Sequence, residues 1–162
     1  MLILGLDPGT ATTGFGFVHE ADDGTTTAVD YGVITTKAGV PMPERLLQIY
    51  DSLTGLIARH QPDEVAIEQL FFGKNVTTGI TVAQARGVML LAVARKGLSL
   101  REYKPKEIKL SVAGYGSADK IQMQVMIQQL LLLDAPPRPD DAADALAVAI
   151  THLNSTRFER MI

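Results

Sequence analysis

The sequence predicts an α/β fold: a mixed five-stranded sheet with helices on both faces. Two observations predict it. β-prone apolar segments come first and close together, and amphipathic helical patterns then alternate with short β-branched runs. The opening strand is Leu2–Asp7, apolar up to its last residue and stopped by Pro8-Gly9. Residues 14–19 and 26–36 are two further strands, and Asp22-Asp23-Gly24 between them supplies turn chemistry, so the three read as an antiparallel set. Pro43-Glu44-Arg45 opens a helix in which Leu46, Tyr50, Leu53 and Ile57 share one face, and Gln61-Pro62 ends it. Residues 63–68 form a short fourth strand. A long helix over about 76–96 stops at Gly97. Ser99–Tyr103 is the fifth strand, and Pro105 starts a helix to about Ala113. After the loop Gly114-Tyr115-Gly116-Ser117, residues 119–133 carry an apolar stripe. The proline-rich segment 135–139 separates that helix from a last one, from 140 to about 153, and the tail from about 154 is expected to be loosely ordered.

With 162 residues the chain fits one domain, 1–162, without internal repeat, low-complexity tract or linker. Its 46% hydrophobic and 20% charged residues match a soluble globular domain. No run of about 18 uninterrupted apolar residues is present, which argues against a membrane-spanning helix. The first residues lack the basic start and length of a secretion signal, so the expected location is the cytoplasm. Zero cysteine removes disulfides, thiolate metal sites, iron–sulfur clusters and cysteine nucleophiles. His19, His60 and His152 are too scattered for an imidazole-rich zinc site. Any metal would be held by oxygen.

A net charge of −3 argues at first against a nucleic-acid partner. The total hides a division: residues 74–120 hold nine basic residues against three acidic ones, and the remainder six against fifteen. Such a split makes either a positive face for phosphate or a scatter of solvating lysines.

Four carboxylates sit where chemistry would want them. Asp7 ends the first strand, Glu68 ends the fourth, and Asp141 and Asp144 lie three apart at the start of a helix, on one face. Carboxylates flanked by buried strand residues are costly unless paired or bound to a cation, and no lysine or arginine lies within four positions of Asp7 or Glu68. A divalent cation with hard oxygen ligands solves the problem, and magnesium favours such sites when phosphate completes its shell. Each acid also has a plainer reading. Asp7 suits an Asp-Pro-Gly turn, Glu68 a solvated strand end, and Asp140 or Asp141 a helix N-cap, which is the role expected of Asp140.

Five spaced motifs then carry a likeness. Leu4-Gly5-Leu6-Asp7-Pro8-Gly9-Thr10 with Gly14-Phe15-Gly16, and Ala66-Ile67-Glu68-Gln69-Leu70-Phe71-Phe72 with Lys74-Asn75, are followed by Gln84-Ala85-Arg86-Gly87. Gly114-Tyr115-Gly116-Ser117-Ala118-Asp119-Lys120 and Asp141-Ala142-Ala143-Asp144-Ala145-Leu146-Ala147 complete the series. In this order they resemble the RuvC-type Holliday-junction resolvases of bacteria, over nearly the whole chain to about His152. The resemblance implies a ribonuclease-H-like fold, a homodimer, and a magnesium-dependent endonuclease that resolves four-way DNA junctions in recombination and repair. Two magnesium ions per site are implied, with manganese able to substitute, and a branch-migration motor as the delivering partner. It places the catalytic, metal-binding acids on Asp7, Glu68, Asp141 and Asp144, and two functionally important lysines on Lys109 and Lys120. The aromatic after the catalytic glutamate falls on Phe71, with Phe72 adjacent. One departure is Thr81, where relatives usually have lysine. With the negative net charge, it bears on the strength of DNA binding and not on the chemistry.

Phosphodiester hydrolysis needs a deprotonated water in line with the leaving oxygen and charge compensation on both, which two metals about 3.5–4 Å apart provide. Water is then the nucleophile and the product carries a 5′-phosphate, as the resemblance also implies. Lys109 and Lys120 read as positive charge beside the scissile strand or as solvated helix lysines. Phe71 and Phe72 read as core aromatics or as a stacking platform for an unpaired base, and Tyr115 is a weaker candidate of the same kind. Lys74 belongs to the basic stretch, and Arg86 either contacts phosphate or solvates the long helix. A dimer matches the two equivalent strands of a junction. Its interface would use Ala83, Ala85 and Gly87, with Val88, Met89, Leu90, Leu91 and Val93 assignable to interface or core. Two other readings compete. Residues 7–14 also resemble the first phosphate-binding loop of actin-like ATPases, although those need two lobes, a longer chain and no Asp141–Asp144 pair. A related nuclease acting on RNA is the other.

Overall fold

The computed structural model describes residues 1–70 and 73–162. Phe71 and Phe72, singled out above, lie outside the described residues. Ten elements follow the expected order: β1 (Leu2–Asp7), β2 (Thr12–Glu20), β3 (Thr26–Thr35), α1 (Met42–His60), β4 (Glu64–Glu68), α2 (Val76–Arg95), β5 (Ser99–Tyr103), α3 (Pro105–Ala113), α4 (Lys120–Leu130) and α5 (Asp140–Met161). The five strands form one mixed sheet in the order β3-β2-β1-β4-β5. β1–β2 and β2–β3 are antiparallel; β1–β4 and β4–β5 are parallel. Helices cover both faces, as expected. The parallel pairing follows from chain economy, because α1 carries the chain from one sheet edge back to the centre and α2 carries it on to β5.

Side chains alternate across a strand, and that alternation decides what each face receives. Leu4, Leu6, Phe15, Phe17, Val65 and Ile67 point to one side and pack with Ile49, Leu53 and Ile57 of α1 and Ala85, Met89, Ala92 and Val93 of α2. Ile3, Val18 and Ala66 point to the other side and meet α3, α4 and α5. By the same parity Gly5, Asp7, Gly14, Gly16 and Glu68 belong to this second face. α5 is buried along Ala142–Leu153 except at Asp144, because it is sandwiched between the sheet and α3 and α4. Its alanines and the sheet's glycines let it lie unusually close. A Cβ added at Gly5 would sit 2.1 Å from the Ala145 carbonyl oxygen, and one at Gly14 would sit 1.9 Å from that of Asp141.

Several expectations need correction. α5 runs on to Met161 where a loose tail was expected from about 154, because its last turns are tied down. Asn154 Nδ2 donates to Ser111 Oγ (3.1 Å), Arg157 pairs with Glu20 and donates to Thr26 Oγ1 (2.8 Å), and Arg101 Nη2 donates to Glu159 (2.9 Å). Asp140 is not the N-cap of α5. Pro139 holds that position, and Asp140 is the first helical residue. In α2, Ala85, Met89 and Val93 belong to the core, whereas Leu91 is 54% exposed. By length and composition α2 is apolar enough to cross a membrane; its buried residues Ala85, Met89, Ala92 and Val93 pack against the sheet and α1.

Candidate active site

Asp7 and Glu68 end neighbouring strands that run in the same direction, with Leu6 opposite Ile67 one residue earlier. Two carboxylates therefore emerge side by side, on the face that receives α5. Asp7 also stands opposite Gly14 of β2, the residue that lets the first turn of α5 come down onto the sheet. That descent brings Asp141 and Asp144 to Asp7. One carboxylate oxygen from each of Asp7, Asp141 and Asp144 lies within 4.8 Å of the others, a spacing that one divalent cation could bridge. Glu68, at the end of the neighbouring strand, lines one cleft with Asp7 and feels the charge of Asp144. The four acids picked out in the sequence thus meet at one place.

Their company is electrostatically costly. Burial, then the charges of Asp144, Glu68 and Asp141, push the Asp7 carboxyl up to about 8. Burial and the Asp144 charge likewise raise Glu68, and burial raises Asp144 against an opposing pull from Lys120. A set of buried hard oxygens that resists ionisation when alone is what a doubly charged cation would relieve, so the donor set fits a divalent metal.

Two clefts open on the cluster. One, of about 280 Å³, is lined by Glu68 and Asp144 together with Lys109 of α3, Lys120 of α4, Ile108 and Met123. Lys120 Nζ lies 3.0 Å from Asp140, and that hydrogen bond raises the pKa of the ammonium. Asp140 also accepts from Gln124 (2.8 Å), so it steadies the lysine beside the acids; its neighbour Asp141 enters the cluster itself. A second cleft, of about 250 Å³, is lined by Asp7, Glu68, Pro8, Gln69, Val82 and Pro105.

Other candidates are not brought to the cluster. Arg86 is drawn inward, 14% exposed, and pairs with Glu102 of β5 at 2.6 Å, tying α2 to the sheet edge. Lys74 is exposed in the segment before α2, whose start is capped by Asn75 accepting from Thr78 N. Tyr115 is 43% exposed in the loop after α3 and lines neither cleft. His60 and His152 are engaged separately, with Asp30 (2.8 Å) and Glu64 (2.6 Å). The part played by Gly14 is hidden in the sequence, where it reads only as a β-prone spacer. Its signal is the pairing with Asp7, visible once the strand register is known.

Comparison with known proteins agrees with this geometry. The family model of crossover junction endodeoxyribonuclease RuvC matches residues 3–152. A crossover junction endodeoxyribonuclease RuvC of Chloroflexus aggregans is 60% identical over 94% of this chain and 92% of its own length. Among solved structures, Thermus thermophilus RuvC superposes with a TM-score of 0.91 at 32% identity, covering 98% of this chain and 97% of that one. A second T. thermophilus RuvC structure, in complex with a Holliday junction substrate, superposes with a TM-score of 0.89 at 29% identity, over 98% and 96% of the two chains. The mixed sheet is thus the ribonuclease-H-like fold that the motifs implied. On sequence across 3–152 and on architecture alike, the chain belongs to the RuvC family of crossover junction endodeoxyribonucleases.

Proposed function

We propose that this chain resolves four-way DNA junctions by paired, symmetric hydrolysis of phosphodiester bonds, with Asp7, Glu68, Asp141 and Asp144 as its metal-holding acids. Membership of the family makes it a DNA endonuclease of the metal-dependent kind. The observation that carries the residue assignment is the convergence of Asp7, Asp141 and Asp144 within 4.8 Å, with Glu68 against Asp7. Magnesium is the ion of choice, two per site with manganese as a substitute, because all four donors are hard oxygens and phosphate completes the shell. When bound, such ions lower the pKa of the attacking water and compensate charge on the leaving oxygen.

The chain's own groups perform the rest. Asp7 and Glu68, fixed at strand ends, set the position of the acids rigidly, and α5 supplies Asp141 and Asp144 from a helix locked by its neighbours. Lys109 and Lys120 face the same cleft as Glu68 and Asp144 and place positive charge beside the strand to be cut. Lys74 and Tyr115, both exposed, are assigned to DNA contact farther out. A homodimer matches the two equivalent strands of the junction, and apolar Leu47 and Leu91, exposed on adjoining faces of α1 and α2, support it.

The test is a synthetic four-way junction with each strand labelled in turn, incubated with and without magnesium. Paired nicks at symmetric positions, with 5′-phosphate ends, are expected only with the ion. Uncut junctions, or equal cutting of linear duplex, would refute the reading.

A further inference from the structure

We propose that the groove on the α1/α2 flank of the acid cluster holds a backbone phosphate next to the scissile one, and that Arg45 is the residue that binds it. The proposal rests on the endonuclease reading above and assigns a contact to the strand on the side away from Lys109 and Lys120.

A groove of about 430 Å³ is walled by the turn through Gly9, Thr10 and Thr12, by Arg45 of α1, and by Thr78 and Thr81 of α2, and it ends at Asp141. It therefore opens on the acids from the flank opposite α3 and α4. A strand crossing the cluster has to continue past it on both sides. On one side it meets two lysines; on the other it meets hydroxyls and a single guanidinium.

That guanidinium is prepared for an anion. Arg45 Nε donates to Thr36 Oγ1 (2.8 Å), and the Thr36 hydroxyl donates to the Thr10 carbonyl (2.6 Å). One nitrogen is thus used to fix the plane, which leaves the two terminal nitrogens of this groove-lining residue for a ligand. Among the described residues no carboxylate lies within ion-pair distance of Arg45, whereas Arg86, Arg101, Arg138, Arg157 and Arg160 are all ion-paired. Arg59 and Arg95 also lack an acid, but they stand exposed in solvent, and Arg45 is half-buried. A half-buried, oriented guanidinium without a counterion is an unfavourable arrangement until an anion arrives, and a phosphodiester presents two oxygens that match its fork. The groove's own walls are already consolidated: the Thr10 hydroxyl donates to the Thr81 carbonyl (2.8 Å), and the Thr81 hydroxyl to that of Thr78 (3.0 Å). The site is preformed and does not need to close around its ligand.

Arg45→Gln tests this. Junction affinity is measured by fluorescence anisotropy in calcium over a range of salt, and cleavage in magnesium. Relative to the unaltered protein, affinity should fall about 5–10-fold and the slope of log K against log salt should shrink by about one. KM should rise more than kcat falls, and Arg45→Lys should restore the slope. Methylphosphonate placed at either phosphate flanking the mapped cut should weaken the unaltered protein at one position and leave Arg45→Gln unaffected there. An unchanged salt slope, or an equal methylphosphonate loss in both proteins, would show that Arg45 only braces Thr36 and would overturn the proposal. If Arg45→Gln does not fold, the methylphosphonate comparison is made with Arg45→Lys, where an undiminished loss at that phosphate supports a charge contact and no loss in either protein refutes it. Failure of the unaltered protein to cut any junction would instead defeat the endonuclease reading, a separate result.

Discussion

The two faces of the sheet are built on opposite principles. Against α1 and α2 the sheet offers Leu4, Leu6, Phe15, Phe17 and Ile67, large side chains that interdigitate with Ile49, Leu53 and Met89. Against α5 it offers Gly5, Gly14 and Gly16, and the helix answers with the carbonyls of Ala145 and Asp141 and with Leu146. The first face removes much apolar surface from water and supplies stability. The second also buries Ile3, Val18, Leu146 and Ile150, but at Gly5 and Gly14 it brings backbone to backbone, so hard contact there sets the height of α5 above the sheet. Placing the four acids on the second face secures their geometry, and it also concentrates repulsion there.

Substitutions should separate these two roles. Asp7→Asn, on the close face, is expected to reduce magnesium-dependent cleavage by about 1,000-fold or more while raising the metal-free melting temperature by about 3–8 °C. Calorimetry beside a cleavage assay reads both, and parallel loss of activity and stability would mean that Asp7 serves the fold. Gly14→Ala forces a methyl group into the Asp141 carbonyl oxygen and should cost about 3 kcal/mol or more, with cleavage falling further than the loss of folded protein explains. Leu53→Ala, on the opposite face, should cost about 2–5 kcal/mol in denaturant titration, with the folded fraction still cutting normally.

The smallest and most diagnostic effect is on pH. Asp7, Glu68 and Asp144 all bind protons more tightly in the folded chain than ordinary carboxyls do. The folded state then holds protons that the unfolded state has released, so metal-free stability should fall as pH rises from about 4, where unfolded carboxyls ionise, to about 8, where folded Asp7 does. Saturating magnesium should flatten that decline by binding the ionised form. Thermal melts with and without the ion across this range check it; a metal-free curve that rises toward pH 8 contradicts the burial of the cluster.

Much of this is legible in the sequence. Strand periodicity put Asp7 and Glu68 at strand ends, and the three-residue step put Asp141 and Asp144 on one helical face, so the acids needed only a common meeting place. What stayed hidden depends on contacts between distant segments. Arg86 looks like a free cation in sequence, and only the packing of α2 beside β5 gives it Glu102. Arg45 reads as a helix-start residue until Thr36 and Thr10 are seen to aim it. The extra turns of α5 are not legible in the sequence because their support comes from Glu20, Thr26 and Ser111, which local propensity does not register.

The separation of Asp7 from Asp141 along the chain has a consequence for its synthesis. β1 and β4 are made before α5, so a chain interrupted before α5 carries Asp7 and Glu68 without Asp141 and Asp144, and the acid cluster cannot assemble until α5 has been made.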